Sequence, residues 1–197
     1  MNDRYHHGDL RNALIIAAAE QIEASGTLDF AITDTAKRAG VSQGAPYRHF
    51  RDRSELLHAV RELAFLGLYH RLEGVSRCFP PGDITLIIEI GQNYIDYARE
   101  KSVFFPLMWN MRDETTEASN DQRKPTGFDF LEDAVAAYLA QHNNSREPVR
   151  VATQLWAAAH GIATLELGNM INAFDKTASA RALLTQSTHA ILAATGD

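Results

Sequence analysis

The sequence predicts an all-α protein, on three observations. Apolar residues recur at helical spacing in one segment after another, as in Leu10, Ala13, Leu14, Ala17, Ala18 and Ile22, and again in Ile87, Ile88, Ile90, Tyr94, Ile95 and Ala98. No segment shows the alternation of apolar and polar residues that marks a half-buried strand. The stretch Ala39-Gly40-Val41-Ser42 separates a short amphipathic segment from a second one with polar tips, which is the punctuation of a helix-turn-helix.

In chain order, Met1 to Gly8 is a polar arm. His6 and His7 within it read as a frayed terminus, a tag remnant or a metal site, and two adjacent histidines without further ligands are a weak metal signal. Asp9 is placed to cap the first helix, which Gly26 ends. Phe30 and Ile32 lead into a short helix ending at Ala39. Gly40 can supply a left-handed turn, Val41 plugs the crossing of two helices, and Ser42 is read as the next N-cap. Gly44 and Pro46 are poor helix formers with no core to pack; Pro46 is tolerated in a first turn. Tyr47, Arg48 and His49 then present three polar tips before Phe50 anchors the segment. A helix with a bare, narrow start and a polar flank suits the major groove of DNA.

Asp52 opens a fourth helix running to about Arg77, with Leu56, Leu57, Val60, Leu63 and Ala64 toward the head. Pro80-Pro81-Gly82 breaks it. The expected division is therefore a helix-turn-helix head over residues 1–57, a linking helix to about 79, and a helical body over 80–197. Body helices are expected at 84–100, at 102–111 with Pro106 as an interruption, at 128–141, 147–169 and 175–194, with a polar loop of mixed charge at 112–127.

The run from Tyr5 to about Leu68 resembles the DNA-binding domain of the TetR family of transcriptional regulators. The resemblance rests on AGVS, a short helix, Tyr47-x-His49-Phe50, then Arg53 and a leucine-rich helix. The chain departs from the family pattern at Ala31, where a capping Ser or Thr is usual, a loss of about 1 kcal/mol unless Thr33 or Asp29 substitutes, and at Thr35, where a branched apolar residue usually faces the core. In the body, Trp156-x-x-x-His160-Gly161 is similar to the W-H-G signature of one group of C-terminal domains in that family. The resemblance implies a homodimer paired through the last two helices and a near-palindromic double-stranded DNA operator. The alanines of those helices, such as Ala157, Ala163, Ala182 and Ala190, fit close pairing. It also implies that Gln43, Gly44, Ala45 and Tyr47 approach base edges. Ser42, Tyr47, Arg48, His49 and Arg53 would hold phosphates, with Thr33, Lys37 and Arg4 as outer contacts. It further implies an effector site in the body, for which Tyr94, Tyr97, Phe104, Phe105, Met108, Trp109, Trp156 and His160 are the candidates. These aromatics at helical spacing read as solid core or as the lining of a cavity. Few charges sit among them, so the effector expected is an uncharged or aromatic small molecule. The regulator is expected to be a repressor released by that effector. The alternatives are an activator on the same scaffold and a helical ligand-binding protein without DNA binding.

A net charge of −6 argues against nucleic acid only when read globally. Residues 1–53 hold seven basic and seven acidic residues, and within 37–53 Lys37, Arg38, Arg48, Arg51 and Arg53 face Asp52 alone. Charges beyond ~8–10 Å are screened, so local basicity decides. His160, one turn from Trp156 on the same helix face, reads as a core histidine bonded to a carbonyl or a tyrosine, as a pocket residue, or as a general base. No nucleophile motif, phosphate loop, metal spacing or cofactor motif accompanies it, so no catalytic residue, metal or cofactor is expected. The one cysteine, Cys78, is either an inert thiol or a redox sensor, and it forms no internal disulfide. No signal peptide or ~20-residue apolar run is present, so a cytoplasmic location is expected.

Overall fold

The computed structural model describes residues 7–110 and 126–194, with side chains described except at 7–9 and 110. Arg4 and most of the expected loop at 112–127 lie outside the described residues. All regular structure among the described residues is helical, as the apolar spacing requires. None of these helices is long and apolar enough to cross a membrane.

Two compact units are present, and each has its own core. The first holds the described residues up to Phe65 together with 103–110. Its helices are α1 (His7–Ser25), α2 (Ile32–Arg38), the start of α3 (Arg53–Ser76), and α5 (Phe104–Asn110), which follows α4 (Ile84–Glu100) in the chain. Leu14, Ile22, Phe50, Leu56 and Val60 are all but fully buried, and each such side chain contributes about 1.5–3 kcal/mol. Arg11 lies over the Phe50 ring at 5.0 Å, shielding it from solvent. At the start of α3, Asp52 accepts from the Glu55 amide at 2.9 Å, and Glu55 accepts from the Arg51 amide at 2.8 Å. This reciprocal arrangement stops the chain fraying, and the Arg51 bond holds the Glu55 carboxyl below its usual range.

The second unit holds 66–102 and the described residues from 126 onward. It contains the rest of α3, α4, α6 (Phe128–Gln141), α7 (Pro148–Leu167), the short α8 (Met170–Phe174) and α9 (Ala180–Ala193). Helix α4 packs against α6, α7 and α9, burying Ile87, Ile90, Tyr94, Ile95 and Ala98. Gly91 gives Leu184 of α9 its place, since a Cβ there would lie 3.0 Å from a Leu184 methyl. Arg146 donates to the carbonyls of Ile191 at 2.7 Å and Ala194 at 3.1 Å, satisfying groups that the end of α9 leaves open.

Several expected boundaries shift. Helix α1 begins two residues before Asp9, which therefore lies inside it. Pro106 falls in the first turn of α5, where no helical amide bond is lost, so it does not interrupt that helix. The last helix begins at Ala180, because Ser179 caps it by accepting from the Ala182 amide, and α8 stands alone before it. Val41 is half-buried where a full plug was expected.

Candidate nucleic-acid interface and body cluster

The segment after α2 follows the expected path in one respect and departs in another. Gly40 takes φ +71°, the left-handed turn that its position demands. The expected recognition helix, however, is a single 3-10 turn, Pro46–Arg48. Pro46 has no amide to donate and Gly44 gains little from helix formation, so regular structure starts only at Pro46. Ser42 serves through its carbonyl, which accepts from the Ala45 amide at 2.9 Å. Phe50 closes the turn by donating its amide to the Pro46 carbonyl at 2.9 Å and burying its ring.

This turn presents a bare surface. Ser42, Gln43, Gly44 and Arg48 are exposed, and Tyr47 is 55% exposed, unusual for an aromatic side chain. A Cβ built on Gly44 meets nothing within 4 Å. Ala45, His49 and Thr33 are half-buried along the edges, and Lys37 is exposed on α2. The five basic residues of 37–53 divide into two kinds. Arg38 pairs with Glu20 at 3.2 Å and Arg51 with Glu55 at 3.1 Å. Arg53 donates to backbone carbonyls of the loop before α2. Among the described residues, Lys37 and Arg48 carry the charge that remains uncommitted at this surface.

Thr35 is fully buried, and its hydroxyl donates to Gln21 Oε1 at 3.0 Å. The residue out of place in the sequence is thus one half of a polar bond between α1 and α2. Ala31 stands at the N-cap of α2 with no side-chain cap. Neither Thr33 nor Asp29 takes over. Asp29 lies 3.7 Å from Arg53 instead.

The eight body candidates fall into two groups. Phe104, Phe105, Met108 and Trp109 belong to the first unit, where Arg61 donates to the Met108 carbonyl at 3.0 Å and Trp109 meets Phe65 edge-on at 5.2 Å. Tyr94, Tyr97, Trp156 and His160 belong to the second. There the Tyr94 oxygen lies 2.8 Å from His160 Nδ1, and the rings of Trp156 and His160 are 5.9 Å apart. Burial raises Tyr94 above its ordinary range, opposed by a hydrogen bond with Trp156. Desolvation lowers His160. With the imidazole neutral and the phenol protonated, Tyr94 and His160 Nδ1 share one hydrogen bond, whose donor is set by the imidazole tautomer. Tyr97 lies apart from this trio, its hydroxyl 2.7 Å from the place a Gly67 Cβ would take. Among the described residues no group of histidine, cysteine and carboxylate side chains is arranged to hold a metal.

An all-helical head carrying an exposed, glycine-thinned turn edged with cationic and hydroxyl groups defines a helix-turn-helix DNA-binding transcriptional regulator. The chain matches the bacterial regulatory proteins of the tetR family over residues 14–60 and the Tetracyclin repressor-like, C-terminal domain over 87–187, the second match alone covering just over half of the chain. It belongs to the TetR family. Among solved structures it is similar to a protein of unknown function from Rhodococcus sp. RHA1, at 26% identity and TM-score 0.74, with 97% of each chain covered. It is similar in fold to a TetR/AcrR-family regulator from Thermobifida fusca, at 17% identity and TM-score 0.65, covering 96% of this chain and 100% of that one. The fold also resembles that of SmeT, the repressor of the Stenotrophomonas maltophilia multidrug efflux pump SmeDEF, at 19% identity and TM-score 0.57, covering 93% and 88%. No match is found among curated protein sequences.

Proposed function

We propose that this regulator is a repressor that binds a near-palindromic operator as a homodimer and releases it when an uncharged or aromatic small molecule enters the body. The observation that carries the DNA half is the Gly44–Arg48 turn. Its backbone is bare at Gly44, Tyr47 projects from it, and Lys37 and Arg48 flank it without partners among the described residues. Gln43, Gly44, Ala45 and Tyr47 approach base edges, while Ser42, Arg48 and His49 hold phosphates with Thr33 and Lys37 outside them. Two such turns related by a two-fold axis meet the major groove about 34–36 Å apart or somewhat more.

Support for the dimer comes from α7. Thr153, Ala157, Gly161 and Thr164 are exposed along one side of it, and a Gly161 Cβ meets nothing within 4 Å. A glycine inside a helix costs about 1 kcal/mol relative to alanine, and nothing among the described residues requires one here. The threonine hydroxyls bond back to the carbonyls of Val149 and His160, leaving a smooth surface for a second copy. Support for the effector site comes from the Tyr94–His160–Trp156 cluster, whose polar tips are set among apolar side chains.

Selection of bound sequences from random duplex DNA, repeated with candidate effectors present, tests the whole scheme. A two-fold-symmetric site that is lost when effector is added is the expected result. Recovery of single asymmetric sites sinks the dimeric reading, and insensitivity to every aromatic or uncharged compound sinks the effector class.

A further inference from the structure

Arg53 stands where the family resemblance expects a phosphate contact, yet its guanidinium is turned inward. Nε donates to the Phe30 carbonyl at 3.0 Å, and a terminal nitrogen donates to the Leu28 carbonyl. The same group lies over the Phe30 ring, 4.8 Å from its centroid, and 3.7 Å from the Asp29 carboxylate. One side chain therefore holds three successive residues, Leu28, Asp29 and Phe30. The next residue, Ala31, is the N-cap of α2 and has no side chain able to cap it.

Phe30 and Arg53 bracket everything that faces DNA in the proposed function: α2, the Gly40 turn and the Pro46–Arg48 turn. Helix α2 has only seven residues, far below the ~12–15 at which a helix becomes marginal on its own. With no local cap, its entry depends on contacts from elsewhere in the fold. Residues on the far side of the reading segment supply them. A planar guanidinium fits this task because it aims two donors in a fixed fork at two carbonyls, whereas an ammonium offers one point charge on a flexible stem. Both backbone acceptors are neutral. The Asp29 carboxylate is almost wholly exposed, so that ion pair adds little.

We propose that Arg53 is a positioning residue for DNA reading: it clasps the 28–30 loop to the start of α3, anchors an entry to α2 that no side-chain cap secures, and so fixes how α2 and the recognition turn are presented. The proposal rests on the DNA-reading function above and assigns Arg53 a role other than neutralising a phosphate.

The test uses the full chain as wild type, Arg53→Ala, Arg53→Lys and the double variant Arg53→Ala with Ala31→Ser. Ala31 sits at φ −95°, ψ 131°, where serine can cap without strain. Binding to the selected operator and to a scrambled duplex is titrated at several salt concentrations, well below every variant's melting temperature. Deuterium uptake by the 27–34 segment is followed in parallel. Arg53→Ala should speed exchange in that segment and weaken operator binding about fivefold, the equivalent of one helix cap. Scrambled-duplex affinity and the slope of log affinity against log salt should hold. Lysine should fail to rescue, and Ala31→Ser should restore most of the lost discrimination. A salt slope that drops by about one per half-site in Arg53→Ala and returns with lysine makes Arg53 a phosphate contact and overturns the proposal. Unchanged exchange overturns it too, as does a lowered melting temperature with discrimination intact. Failure of the wild type to select any operator sinks the DNA-reading function and the positioning role with it, while faster exchange in Arg53→Ala still records the clasp as a fold contact.

Discussion

Helices α2 and α4 both bury one face, and they are held in place by different means. Helix α4 runs for 17 residues, starts on Asp83 accepting from the Thr85 amide at 2.8 Å, and buries nine residues. It carries its own cap and its own apolar stripe. Helix α2 runs for seven, has no side-chain cap, and buries Ile32, Thr35 and Ala36. It stands because Gln21 reaches it from α1 and because Arg53 pins the loop that feeds it. A surface that reads DNA must leave its polar side chains and some of its backbone bare. It therefore gives up apolar burial, and a few directional contacts set its shape. The body has no such constraint along α4 and is stabilised mainly by buried area.

This contrast fails if damage to the reading surface also unfolds the protein. Gly44→Val adds a branched side chain where there is open space. Circular dichroism should remain helical while operator binding falls to the level of a scrambled duplex, a loss of about 10³-fold or more. Operator binding at wild-type strength would remove the close approach assigned to Gly44. The reverse case is Ile95→Ala in the center of α4, where the side chain is 1% exposed. It should lower stability by about 2–5 kcal/mol in urea unfolding, and the folded fraction should bind the operator with an unchanged salt slope. Lys37→Ala should leave stability alone and reduce that slope by about one per half-site, weakening all sequences alike. Titration across several salt concentrations separates these outcomes.

Smaller effects sharpen the comparison. Ala31→Ser gives α2 the cap that α4 already has and should raise stability by about 1 kcal/mol in the wild-type background; a neutral or negative result would show that the entry to α2 is already fully determined. The smallest effect expected is on pH dependence. Desolvation holds His160 below its ordinary range in the folded chain, so the unfolded chain takes up a proton first as pH falls. Stability from this group is complete above the unfolded value near 6.5 and is lost as pH drops through the folded one. Thermal midpoints measured between pH 7.5 and 5.5 should fall, and His160→Gln should flatten that fall. An identical pH profile in the variant would place the titration elsewhere.

The candidate site was legible in part. The Gly40 turn, the exposed Gly44 and Tyr47 and the buried Phe50 were readable because each follows from a residue's own conformational or solvation preference. The sequence also showed two irregularities, Ala31 without a capping group and Thr35 at a core position, without showing what answers them. Thr35 needed a partner on burial, and Gln21 fits that need, yet nothing in the pattern of α1 singles out Gln21. The aromatic set expected in the body was read as one group. The chain instead divides it, with α5 packed beside Arg61 and Phe65 and with Tyr94, Trp156 and His160 gathered in the second unit.

The sequence by itself determined the all-helical class and the spans of α4 and α6, which match at both ends. Periodicity, caps and breakers act within a few residues, and so can be read in a single pass along the chain. Tertiary structure alone decided that Thr35 bonds to Gln21 and that Arg53 faces inward to Leu28 and Phe30. Those partners lie 14, 25 and 23 residues apart. Which donor meets which acceptor over such separations depends on how α1, α2 and α3 cross, and the crossing is set by packing the whole head at once.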